Sequence, residues 1–102
     1  MKILLYLYQY GLTIEGFWNC LFFPNIGERL CVFPFLSEDD KKSVEMLAVG
    51  NVADDIQRSS FQSEHADIPL LRILYQDPCL IEQKTWNYID NEWVCSFKVK
   101  IR

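Results

Sequence analysis

The last stretch of the chain constrains the fold most. From Glu92 the residues alternate without a break, with Trp93, Cys95, Phe97, Val99 and Ile101 falling on one side and Val94, Ser96, Lys98, Lys100 and Arg102 on the other. Successive side chains of a strand point to opposite faces, so this period of two predicts a half-buried strand. Asp90-Asn91 precedes it. Both residue types tolerate the positive φ that a two-residue hairpin turn requires, which predicts a hairpin over 84–101. Folding about that turn sets Ile89 opposite Glu92, Tyr88 opposite Trp93 and Trp86 opposite Cys95, so that aromatic pairs share one face. A two-stranded hairpin is marginal in water, and this face needs further strands or a helix to cover it.

Other segments supply that material. Residues 2–10 read as a first strand, with Ile3, Leu5 and Leu7 on one side, although a helix has nearly the same claim on so short an apolar run. Residues 16–23 and 29–36 are two more apolar runs. The first is closed by Pro24-Asn25, and Pro34 confines the second to an edge or ends it. At Ser37-Glu38-Asp39-Asp40 the pattern changes to a helix start, a serine cap with acids in the first turn. Val44, Leu47, Ala48, Val52 and Ile56 continue at spacings of three and four, predicting one main helix over 38–57 with a kink at Gly50. The polar stretch 58–66 reads as a surface loop, and residues 69–75 as a short strand in preference to a helix. The expected fold is α+β: a small antiparallel sheet of about five or six strands, covered on one face by that helix, in a single domain spanning 1–102.

Charge narrows the partners. The chain carries a formal net charge of −4, and residues 37–67 hold eight acids against three bases. No basic footprint for phosphate exists, so direct nucleic-acid binding is not expected. The acidic middle third would attract a basic protein surface. No run is long enough to span a bilayer, and Met1 to Leu5 lacks the small-residue cleavage pattern of a signal peptide, so the expected setting is a reduced, cytoplasmic one.

A catalytic or metal constellation is hard to assemble. The cysteines at 20, 31, 79 and 95 form no C-x-x-C pair, and His65 is the single histidine. Cys20, Cys31 and Cys95 lie in apolar runs, which leaves Cys79 as the expected exposed thiol. No cofactor is implied, since no glycine-rich loop precedes a helix. Adjacent acids such as Asp54-Asp55 point about 100° apart on a helix and share no site by sequence alone. The expected function is therefore that of a small acidic protein-binding module, in its preferred form an immunity- or antitoxin-type inhibitor of a basic, nuclease-like toxin. Asp54, Asp55, Glu64, His65 and Asp67 are the candidate contacts. A homo-oligomer subunit using Tyr6, Tyr8, Tyr10 and Trp18 is the first alternative, and a small-ligand binder or enzyme the second.

Overall fold

In a computed structural model of the chain, residues 1–53 and 58–101 are described. They form a five-stranded sheet and three α-helices in the order β1 (Lys2–Leu7), β2 (Leu12–Phe17), β3 (Arg29–Leu30), α1 (Glu38–Glu45), α2 (Ser60–Glu64), α3 (Leu70–Gln76), β4 (Cys79–Ile89) and β5 (Glu92–Lys100). The sheet order is β2-β1-β5-β4-β3. The Asp90-Asn91 turn has φ of 50° and 65°, as its residue types allow. It sets Ile89 against Glu92, Tyr88 against Trp93 and Trp86 against Cys95. The hairpin strands reach back to Cys79, well beyond residue 84, because a bulge between Ile81 and Gln83 lets β4 resume its ladder.

The sheet is mixed, not the antiparallel one expected. β1 runs antiparallel to β2 but parallel to β5, with Ile3 beside Cys95, Leu5 beside Phe97 and Leu7 beside Val99. These fully buried side chains form the floor of the core. Val44 of α1 and Leu70, Ile73 and Leu74 of α3 close over it. The other side of the central strands carries a polar network. Tyr8 donates to a Glu82 carboxylate oxygen at 3.0 Å, Lys100 pairs with the same oxygen at 3.0 Å, and the Lys98 ammonium lies 4.3 Å from the Tyr8 ring centre. Burial first, and then the Glu82 carboxylate, pushes Tyr8 up to about 12.

Three further expectations fail for definable reasons. The helix begun at Glu38 stops at Glu45, far short of 57. Its cap is the expected one, with Ser37 and Asp40 each accepting the other's backbone N–H. After Met46, however, the backbone turns to a different partner. Leu47 C=O accepts from Leu70 N–H, Val49 N–H donates to Ile68 C=O, and Gly50 N–H donates to Ala66 C=O. Those groups are then no longer available for helical bonds.

The expected strand at 69–75 is helix α3. Leu70, Ile73 and Leu74 turn inward at helical spacing, and Asp77 before Pro78 is extended, as the pre-proline position favours. The expected loop 58–66 contains helix α2, started by a reciprocal cap between Ser59 and Gln62. Gln62 is completely buried, and its Nε2 donates to the Tyr10 hydroxyl at 3.3 Å. That hydroxyl in turn donates to Val49 C=O at 2.6 Å, so the short helix is tied to the core by a satisfied polar chain.

Candidate functional site

The turn between α2 and α3 presents the acidic candidates. It is held by the three backbone hydrogen bonds from 47–50 to 66–70, which seat it against the segment that follows α1. Gly50 is required there, since a Cβ on it would lie 2.6 Å from the Ala66 Cβ and 2.9 Å from the Ala66 Cα. Glu64 and Asp67 are exposed on this turn, and among the described residues neither makes an ion pair. His65 is half-buried and structural. Its backbone N–H caps α2 on Phe61 C=O at 3.0 Å, Nδ1 lies 3.1 Å from the same oxygen, and the ring stacks on Phe61 at 4.5 Å. Asp54 and Asp55 lie outside the described residues.

Glu38, Asp39, Glu45 and Met46 are exposed on or just after α1. Lys41 reaches Glu38 at 3.5 Å, an exposed pair of small energetic consequence. Leu47 bonds to Leu70, so the end of α1 and the start of α3 belong to one surface. Its net sign is negative.

A second surface is aromatic and was not read from the sequence. Trp86, Tyr88 and Trp93 lie on the core side of the hairpin but beyond the reach of the helices; Tyr88 is 61 % and Trp93 57 % exposed. The β2–β3 connection fills part of this gap. Phe23 packs edge-on against Trp86 at 5.3 Å, Trp18 stacks on Phe23 and Phe35 at 6.1 Å, and Lys84 donates to Pro24 C=O and Asn25 Oδ1. Leu21 and Phe22, on the same connection, stay 95 % and 83 % exposed. Their signal in the sequence was an apolar run, 16–23, with no alternation to assign it a buried face. Of the four aromatics expected at an interface, Tyr10 is buried and hydrogen-bonded, and Trp18 and Tyr8 are half-buried in contacts of their own. Tyr6 alone is exposed.

Three of the four thiols reverse the expectation, and Cys95 alone is buried as expected. Cys79 and Cys95 are buried, whereas Cys20 and Cys31 are exposed. Position decides this, because Cys79 and Cys95 fall on the inward register of β4 and β5 while Cys20 and Cys31 lie outside the strands. Burial pushes the Cys79 thiol up to about 12 and raises Cys95 as well, so both are protonated and unreactive at neutral pH. An aromatic disulfide reagent is expected to label Cys20 and Cys31 at once, and Cys79 and Cys95 only in denaturant. Rapid modification of Cys79 in the native protein would contradict this.

Among the described residues no three His, Cys, Asp or Glu side chains converge as a metal-ligand group, and no helix is long and apolar enough to cross a membrane. What the molecule offers is two surfaces, one acidic and pinned, the other aromatic and partly covered. Comparison with protein-family models, with curated proteins and with solved structures finds no match, so the functional reading rests on these surfaces.

Proposed function

We propose that the chain is a small protein-binding module whose acidic flank meets a basic protein partner. The preferred instance is an immunity- or antitoxin-type inhibitor that covers the basic surface of a nuclease-like toxin. The observation that carries this reading is the α2–α3 turn, where Glu64 and Asp67 project from a backbone pinned to the core. Acids held in place lose little freedom on binding, and a negative surface accelerates encounter with a positive one.

The test is kinetic. With a partner recovered by cross-linking in the source cells, the association rate is expected to fall at least about tenfold between about 50 mM and about 300 mM salt. Glu64→Lys with Asp67→Lys should lower it about tenfold again at low salt. Association that ignores both salt and charge reversal would refute the reading.

A further inference from the structure

We infer that two copies of this chain pair through the free edge of β4, antiparallel about a two-fold axis at Asn87. β1 pairs with β5 only from Cys95 to Val99, and β3 pairs with β4 only at Cys79 and Leu80. Gly27 and Glu28 extend that cover as far as Ile81. From Asn87 to Val94 the hairpin therefore projects as a two-stranded ribbon, in a molecule 42 Å long but 27 Å and 22 Å across.

The ribbon's edge is open and undefended. A two-residue turn closes on a hydrogen-bonded pair, here Ile89 with Glu92. Asn87 and Thr85 then also point their N–H and C=O groups at β5, while Trp86 and Tyr88 point theirs outward. Among the described residues no backbone group reaches Trp86 or Tyr88 from outside the hairpin. Edge strands are ordinarily protected by proline, lysine or a bulge. Residues 85–89 contain neither proline nor lysine, and the bulge lies elsewhere, at Ile81/Gln83.

The edge is also complementary to itself. With Asn87 opposite Asn87 of the second copy, Trp86 faces Tyr88 of that copy, and the two residues exchange both ladder bonds. The axis repeats the pair, giving four bonds and two aromatic cross-strand contacts. The same register sets Lys84 against Asp90 of the second copy, also twice. The Lys84 ammonium already donates to the neutral Pro24 C=O and Asn25 Oδ1, and its remaining N–H and uncompensated charge favour a second copy as occupant despite the net charge of −4. Centring on Tyr88 instead would carry Lys84 past the other copy's turn. Centring on Trp86 would leave Asp90 without its lysine. The axis keeps the core-side rings Trp86, Tyr88 and Trp93 of both copies on one face.

Sedimentation of the full chain should give twice the 12.1 kDa chain mass at tens of micromolar. Tyr88→Pro keeps the ladder to β5 and removes the outward N–H from both copies, so the dimer should weaken at least about tenfold with the circular dichroism unchanged. In a Cys20→Ser, Cys31→Ser background, Asn87→Cys should cross-link two chains under mild oxidation. Directly opposed residues of a non-hydrogen-bonded pair lie about 4.5 Å apart at Cα, within disulfide reach. Thr13→Cys, on the opposite sheet edge, should stay monomeric in reducing-agent-free gels. A chain that remains monomeric at hundreds of micromolar overturns the inference, and so does a dimer that Asn87→Cys fails to trap. Neither result bears on the acidic flank, whose test is the salt dependence of a different association.

Discussion

Phe97→Ala is expected to remove about 3–5 kcal/mol of stability, the usual cost of deleting a large ring from a close-packed interior. Phe97 is the largest of the fully buried side chains. It stands beside Leu5 in the parallel pair and opposite Lys84 in the hairpin, at the centre of the sheet. A midpoint shift of one to a few molar urea should report the loss, since small proteins lose about 1–3 kcal/mol per molar. Trp93→Ala provides the contrast. Trp93 shares the same face of β5 but lies beyond the helices and is half exposed, so its removal at low protein concentration should cost about 1 kcal/mol. Equal effects from the two substitutions would mean that the core does not end where the helices end.

Gly50→Ala is expected to weaken the fold and, with it, the proposed partner binding. The added Cβ would stand 2.6 Å from the Ala66 Cβ and 2.9 Å from the Ala66 Cα, and the second of these is backbone that no rotamer change can move. Something must shift, at about 1–3 kcal/mol for an overpacked contact. The segment displaced is the one bonded through Gly50 N–H to Ala66 C=O, so the acidic turn would lose its anchoring along with its stability. Ala66→Gly in the same chain removes one of the two clashes and should recover part of the loss. Thermal unfolding of the single and double variants, beside the partner's association rate, separates the effects. A neutral Gly50→Ala, or a double variant no better than the single one, would show that the 47–50 and 66–70 segments do not approach as described.

The hairpin was legible because its determinants are local. Strict alternation fixes which residues turn inward, and Asp90-Asn91 fixes the turn, so the register follows with no information from elsewhere. The serine cap at Ser37 was equally local. The capping pair Ser59 and Gln62 was just as visible as a spacing, but the polar composition around it pointed to a loop. Leu70, Leu71 and Leu74 suited either helix or strand, because seven residues carry too few periods to decide. The candidate site was legible only as charge. Glu64 and Asp67 are exposed on the α2–α3 turn, whereas His65 is occupied in capping α2.

The amino-acid sequence by itself determined the α+β class, the hairpin register, the start of α1 and the sign of the flank, since each depends on neighbours a few residues away. Only the tertiary structure decided where α1 ends, which thiols are hidden, that β1 lies parallel to β5, and that Leu21, Phe22 and the ribbon's aromatic edge face outward. Each of these is settled by backbone groups or apolar surfaces meeting partners distant in the chain, as when Leu47, Val49 and Gly50 leave the helix to bond with Leu70, Ile68 and Ala66. Local pattern carries no record of such distant partners.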